Sequence, residues 1–260
     1  MSGFSPQPYL AAAENAARVA GAFLRKNFSL SAKQVDQELA HDIKLRLDKE
    51  TQALISRELL AAFPDSAILG EEGSSGDEAA PCRWIVDPLD GTVNYFYGIP
   101  IFAVSIALQV AGELVLGCVY DPMQDEMFSA VAGGPATCNG RPIRVSRHTR
   151  LAQAAVFCGH GAHDGSGEAG IRRFAHISSQ VRKMRILGSA AVTLCYVAAG
   201  RMDAYIEDRI SLWDFAAARV ILESAGGVLE FTPAQPGAVQ GAVLAWNGLL
   251  PLHETLSSIS

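Results

Sequence analysis

The chain has 260 residues, 49% apolar and 18% charged, with a net charge of −6 at pH 7 and a pI near 5.5. That length and apolar content allow a substantial core and, with no low-complexity stretch, exclude a disordered chain. The acidic balance argues against a nucleic-acid surface, which needs clustered Lys and Arg; the longest basic cluster, Arg182-Lys183-Met184-Arg185, is short.

Residues 9–28 place Leu10, Ala13, Ala17, Ala20 and Leu24 at helical spacing and predict an amphipathic helix. The N-terminus lacks a basic region followed by an uninterrupted apolar core, so no signal peptide is expected. Nor does any segment supply the roughly 18 apolar residues a membrane span needs. Between Asp42 and Asp48, Lys44 and Arg46 alternate with Ile43, Leu45 and Leu47, a strand with one solvated face. A second helix is expected from about Asp48 to Ala62, ending at Phe63-Pro64-Asp65 because the residue before proline disfavours helix. Ile68-Leu69 leads into Gly70-Glu71-Glu72-Gly73, and Ser74 to Pro81 reads as a surface loop. Strands follow at 84–87, 101–110, 114–120 and 126–130, with turns at Ala111-Gly112-Glu113 and Asn139-Gly140.

Beyond about residue 145 the texture changes. A strand at Ala154–Cys158 precedes a Gly- and His-rich loop, Gly159–Gly170. Helices near 171–181, 189–199 and 214–225 then alternate with strands at 184–187, 203–207, 228–230 and 242–245. An α+β half with a largely antiparallel sheet (about 1–145) is thus followed by an α/β half (about 146–260), within one unit of 1–260. The five cysteines, Cys82, Cys118, Cys138, Cys158 and Cys195, are scattered without a Cys-x-x-Cys pair. They read as core residues in a reducing compartment, so a cytoplasmic location is expected.

The chemistry concentrates in residues 84–97, where Trp84-Ile85-Val86 runs into Asp87-Pro88-Leu89-Asp90-Gly91-Thr92. A buried strand ending on paired acids suits a hard cation such as Mg²⁺, and a helix start just after it suits a phosphate. Asp48, Glu71, Asp87, Asp90 and Asp214 all fall at the ends of predicted elements. Each has an ordinary reading: Asp48 and Asp214 as helix N-caps, Glu71 and Glu72 as solvated loop charges, Asp90-Gly91 as a turn. Asp87 resists such a reading, because an unpaired carboxylate at the end of a buried strand is costly.

Together these residues resemble the inositol monophosphatase family, within the lithium-sensitive, metal-dependent sugar-phosphatase superfamily. Gly70-Glu71-Glu72 is similar to its Gly-Glu-Glu element and Asp87 to Thr92 to its Asp-Pro-x-Asp-Gly-Thr signature. Trp213-Asp214, followed by Phe215-Ala216-Ala217 and Ala225-Gly226-Gly227, resembles the second signature. Arg185 through Gly188-Ser189-Ala190-Ala191 is similar to the substrate-side helix start, and Gly133-Gly134-Pro135-Ala136 with Asn139-Gly140 to the hairpin. The resemblance spans essentially the whole chain. It implies a layered α-β-α-β-α sandwich and a Mg²⁺-dependent phosphoric monoester hydrolase. One Mg²⁺ would sit on Glu71, Asp87 and the Leu89 carbonyl, a second on Asp87, Asp90 and Asp214, and a weaker third near Glu71. Thr92, oriented through Asp48, would help Glu71 align or deprotonate the attacking water, and Gly91 and Thr92 amides would hold phosphate oxygens. Asp90, Gly188, Ser189, Ala190, Glu207 and Asp214 would face the substrate. Lithium sensitivity and a homodimer are also implied.

Three positions depart from the family pattern. Lys44 stands where Thr is usual and would either be a solvated charge, the favoured reading, or lower occupancy of the third ion. The loop Gly159–Gly167 carries His160 and His163 where a Gly-Phe-Pro-type segment is common, and Ser224 replaces a frequent Glu. Thr92-Val93-Asn94-Tyr95 resembles the inositol-phosphatase branch more than the 3′-phosphoadenosine nucleotidase or histidinol-phosphate branches. The expected substrate is a small phosphate ester, inositol 1-phosphate or a similar polyol phosphate, with fructose 1,6-bisphosphate as a second. The competing class is a non-catalytic, metal-binding regulatory protein.

Overall fold

The computed structural model describes residues 4–28, 35–38, 43–77, 79–159 and 167–257, with backbone alone at 35–38, 43–44 and 167–169. The first half opens with helix α1 (Gln7–Lys26), a ribbon of β1 (Val35–Glu38) and β2 (Ile43–Leu45), and helix α2 (Arg46–Ala62). Strands β3 (Ala67–Gly70), β4 (Gly73–Ser75) and β5 (Cys82–Asp90) precede a short helix α3 (Thr92–Tyr97). Then come β6 (Ala103–Val110), β7 (Glu113–Asp121), β8 (Glu126–Val131), β9 (Thr137–Cys138) and β10 (Arg141–Pro142). The eight strands from β3 on form one sheet in the order β10-β9-β8-β7-β6-β5-β3-β4, parallel at β3–β5 and antiparallel elsewhere.

Burial follows sequence periodicity. Ala13, Ala16, Ala17, Ala20 and Leu24 make one fully buried stripe of α1. These small side chains let α1 lie close to the sheet: a Cβ at Gly21 would fall 2.6 Å from the Tyr120 ring. Along β5, Trp84 and Val86 pack beneath α1 and α2, while Ile85 points to the opposite core.

The second half contains β11 (Ala155–Cys158), α4 (Gly167–Ser178), β12 (Lys183–Arg185), α5 (Ala190–Ala198), β13 (Ala204–Ser211) and α6 (Leu212–Ser224). It ends with β14 (Val228–Pro233), β15 (Gln240–Trp246) and α7 (Leu252–Ser257). Its five strands run β12-β11-β13-β15-β14, parallel around β11 and antiparallel from β13 onward. Helices α5 and α6 lie between the two sheets: Leu194, Phe215 and Ile221 share a core with Ile85, Val119 and Phe128 of the first and Phe157, Tyr205 and Val243 of the second. Ile177 of α4 and Leu252 of α7 cover the far side of the second sheet with Val156, Ile206 and Trp246. The result is the expected α-β-α-β-α sandwich.

Local expectations shift at the edges. Helix α2 starts at Arg46, so Asp48 is its third residue and not its cap. Strand β4 occupies residues expected to be loop. Strand β13 runs four residues past the expected 207. Ala111-Gly112 (φ 51° and 90°) and Asn139-Gly140 (φ 50° and 73°) are left-handed pairs, the backbone a two-residue hairpin turn demands. His160 and His163 lie outside the described residues, as does the Lys44 side chain. Among the described residues no helix is long and apolar enough to cross a membrane.

The β7 and α6 layers are close-packed at Gly117, where a Cβ would lie 2.1 Å from the Ala217 carbonyl oxygen of α6. Backbone cannot yield as a side-chain tip can. Gly117→Ala is expected to destabilise the protein by about 3 kcal/mol, read as a lowered urea midpoint.

Candidate active site

Each predicted acid is positioned by a local device. Glu71 sits in the β3–β4 turn, its N–H donating to the Val86 carbonyl at 3.1 Å. Gln52 of α2 pins that turn: its Oε1 accepts from Glu72 N–H and its Nε2 donates to the Gly73 carbonyl, both 2.9 Å. A Cβ at Gly70 would fall 2.2 Å from Gln52 Oε1, so a side chain there would displace this clamp. No sequence signal marks Gln52.

On β5, Asp87 pairs with Ser105 and Asp90 with Ala103, so three steps on one strand match two on its neighbour. In a regular strand residues three apart face opposite sides; the extra residue restores a common side. This bulge at Pro88-Leu89 brings both carboxylates to one cavity. Asp87 Oδ1 accepts from Leu89 N–H at 2.9 Å, and Thr92 donates its hydroxyl to the Leu89 carbonyl at 2.9 Å.

Asp214 is the third residue of α6, its Oδ2 accepting from Ser211 N–H at 2.8 Å. Asp48 repeats the device on α2, accepting from Leu45 N–H at 2.8 Å. A second bulge, between Glu207 and Ile210 on β13, again sets three steps against two. Glu207 Oε2 accepts from the Tyr205 hydroxyl at 3.1 Å. Its carboxylate occupies the space a side chain at Gly159 would need: a Cβ there would lie 1.2 Å from Oε2.

These residues surround a cavity of about 580 Å³ lined by Glu71, Asp87, Leu89, Asp90, Gly91, Thr92, Gly188, Ser189, Ala190, Glu207 and Asp214. Asp48 alone of the predicted set does not line it. Thr92 directs its hydroxyl to Leu89, not to Asp48. The Asp48 charge instead helps raise the buried Tyr95 phenol, after burial itself. Ser189 and Ala190 reach the cavity rim with their donors on Asp90: Ser189 Oγ and Ala191 N–H (2.9 Å) donate to Oδ2, and Ala190 N–H (3.1 Å) to Oδ1. Arg201 binds Glu126 of the first half. Tyr205, Arg209, Trp213 and Cys158 also line the cavity. Tyr205 was legible as the same-face neighbour of Glu207, two residues along a strand. Arg209 was not, because the bulge upsets alternation there.

The electrostatics are those of crowded acids. Burial pushes Asp87 well above the usual carboxylate range, and Glu71, Asp90 and Asp214 push it further. Asp214 is raised by burial and then by Asp90, against the opposing Ser211 N–H bond. Asp90 is held at about 6, where burial outweighs the Ser189, Ala191 and Ala190 donors that favour its charge. Among the described residues no three His, Cys, Asp or Glu side chains are already arranged as a metal-holding group. The donor set nevertheless fits hard dications: all oxygen, buried, and mutually repelling until positive charge enters.

A sequence profile described as the inositol monophosphatase family matches residues 5–256. The chain belongs to that family. It is 39% identical over 240 residues to an inositol-1-monophosphatase of Mesorhizobium japonicum, covering 90% of each chain. It is 36% identical to the Nus factor SuhB of Pseudomonas aeruginosa, covering 93% of this chain and 92% of that protein. A crystal structure of the extragenic suppressor protein suhB from Bartonella henselae superposes with a TM-score of 0.90 at 32% identity, covering 97% and 98% of the two chains. The inositol monophosphatase family is generally metal-dependent, in keeping with the acids here. All five thiols are free, and burial pushes that of Cys158, beside the cavity, up to about 11, so it is protonated and poorly nucleophilic near neutrality.

The raised carboxylates carry a sign for stability. Asp90 has an ordinary value of 3.8 and is raised to about 6, so the metal-free native state binds its proton more tightly than the unfolded chain. That contribution is full below the unfolded value and is lost as pH rises through about 6. Asp87 and Asp214 act in the same direction. In chelator, the melting temperature is expected to fall as pH rises from about 4 through about 6, with saturating Mg²⁺ restoring it above that range and doing little at its lower end.

Proposed function

We propose that this phosphatase hydrolyses inositol 1-phosphate or a similar polyol phosphate with water as the nucleophile, using two to three Mg²⁺ ions. The observation that carries this reading is a single cavity that takes Asp87 and Asp90 from the first half and Asp214 and Glu207 from the second. Glu71, Asp87 and the Leu89 carbonyl would hold one ion, and Asp87, Asp90 and Asp214 another. Asp87 and Asp214 each commit one oxygen to a backbone N–H, leaving the second for a ligand. The Asp90 oxygens accept from α5 but retain further lone pairs. When bound, Mg²⁺ supplies Lewis-acid activation of water and neutralises phosphate charge.

The protein's own groups divide the remaining work. Glu71 receives the proton of the attacking water, held in place by the Gln52 clamp on its turn. Thr92 steadies the Leu89 carbonyl. Amides of Gly91 and Thr92, at the opening of α3, face phosphate oxygens. Glu207, oriented by Tyr205, accepts from a hydroxyl of the alcohol. A polyol is favoured over 3′-phosphoadenosine or histidinol phosphate by Val93-Asn94 after the signature and by an acidic partner on the alcohol side, with fructose 1,6-bisphosphate as a second substrate. A regulatory role without catalysis, the reading a Nus-factor relative raises, would need the metal-holding acids but neither Thr92 beside them nor Glu207 on the alcohol side. The homodimer the family implies would be served by exposed apolar residues such as Tyr97 (64%) and Ile99 (43%). Unpaired thiols support a cytoplasmic setting, and the net charge of −6 speaks against nucleic acid as a partner.

Phosphate release with Mg²⁺ from inositol 1-phosphate, fructose 1,6-bisphosphate, 3′-phosphoadenosine 5′-phosphate and histidinol phosphate tests the reading; inositol 1-phosphate should lead, with inhibition by lithium. Release from none of them would defeat it. Asp87→Asn is expected to lower kcat by about a hundredfold or more. Glu207→Gln should instead raise KM for inositol 1-phosphate about tenfold, the loss of one charge-assisted hydrogen bond.

A further inference from the structure

Asn94 stands on the first turn of α3 and is 8% exposed. An asparagine near a helix start usually bonds its own backbone. This one turns away. Its Nδ2 donates to the Ile101 carbonyl at 2.9 Å and to the Leu187 carbonyl at 2.6 Å, the latter from the other half of the chain. The backbone is tight around it. Gly188, at φ 74°, passes so close that a Cβ would lie 3.0 Å from the Asn94 amide. Gly91, at φ 94°, would place a Cβ 3.0 Å from the Ile101 carbonyl oxygen and 3.2 Å from that of Gly188. Both glycines are left-handed, so a side chain would be strained as well as crowded.

The segment Leu187–Ala191 is therefore gripped twice from the metal-site loop. Asp90 takes donors from Ser189, Ala190 and Ala191; Asn94 gives donors to Leu187 and Ile101. The two grips differ in kind. Asp90 is charged and faces the cavity, whereas Asn94 touches carbonyls and carries no charge to offer a metal or a proton.

We propose that Asn94 is a positioning residue that sets the alcohol-binding wall, Gly188–Ala190, at its working distance from the metal and phosphate loop, Asp87–Thr92. The residue type follows from the geometry. Two carbonyls need two N–H donors on one short side chain, which Asn supplies. Ser has one donor, Ala none, and Asp would set carboxylate oxygens against carbonyl oxygens. Loss of the clamp lets the wall drift while the metal-site loop, held by its own bulge and by Leu89–Asp87 and Thr92–Leu89 bonds, stays in place.

The inference rests on the phosphomonoesterase reading, and the test separates the two. With the full chain and Mg²⁺, Asn94→Ala is compared with the natural protein on inositol 1-phosphate, or on whichever ester of the panel it turns over fastest. Mg²⁺ affinity is measured alongside by calorimetry. The expected result is a rise in KM of about tenfold or more with the Mg²⁺ dissociation constant changed less than about threefold. Asn94→Ser, keeping one donor, should fall between, and gives the same pair of readouts if the alanine variant does not fold. An unchanged KM, or KM and Mg²⁺ affinity weakening together, would overturn the positioning role. Absence of turnover in the natural protein would instead overturn the phosphatase reading itself.

Discussion

Negative charge gathered at the end of β5 is the constraint to which the rest of the structure answers. Asp87 and Asp90 are almost wholly buried, Asp214 faces them from α6, and Glu71 closes the group from the β3–β4 turn. Burial alone raises a carboxylate's pKa, and these neighbours raise one another further. A fold selected for stability alone would not collect them. Asp87, Asp90 and Asp214 are each tied to backbone N–H or hydroxyl donors that favour their charge, yet their pKa shifts remain upward. The repulsion left over is what a bound metal ion would relieve.

Holding such a site requires that two sheets and the helices between them share one rigid frame. Small residues provide part of it: Gly117 lets α6 approach β7, and the alanine stripe of α1 lets that helix lie against the opposite face. Polar ties provide the rest. Asp90 caps α5, Asn94 holds Leu187, Ser105 donates to the Trp213 carbonyl at 3.2 Å, and Arg201 of the second half binds Glu126 of the first. Buried Asp203 anchors the segment between the halves, accepting from Ala155 N–H at 2.7 Å and pairing with His148 at 2.8 Å. The apolar contacts set the layers, and these directional bonds fix their register around the cavity.

Much of this was legible before the structure. The buried apolar run Trp84-Ile85-Val86, helical spacing in residues 9–28 and left-handed turns at Ala111-Gly112 and Asn139-Gly140 are local consequences of short-range sterics and hydrophobic patterning. Less legible were features in which distant residues decide a local outcome. Asp48 sits at a helix start as expected, but it accepts from Leu45 N–H and does not line the cavity. Ser189 and Ala190 reach the site, but through Asp90. Gln52 and Asn94 gain their roles only from partners between seven and ninety-three positions away.

The sequence by itself determined which residue types meet the chemistry: an ordered set of acids at element ends, the glycines and threonine beside them, and a change of texture near residue 145. Those follow from side-chain chemistry and from spacing along one strand or helix. Only the tertiary structure decided which acids share a cavity and what each one touches. Two bulges, at Pro88-Leu89 and between Glu207 and Ile210, reverse the side a residue faces, and no alternation rule in a single strand foretells them. The pairing strand defines a bulge, so the direction of Asp90 and of Glu207 is settled by register with a neighbour.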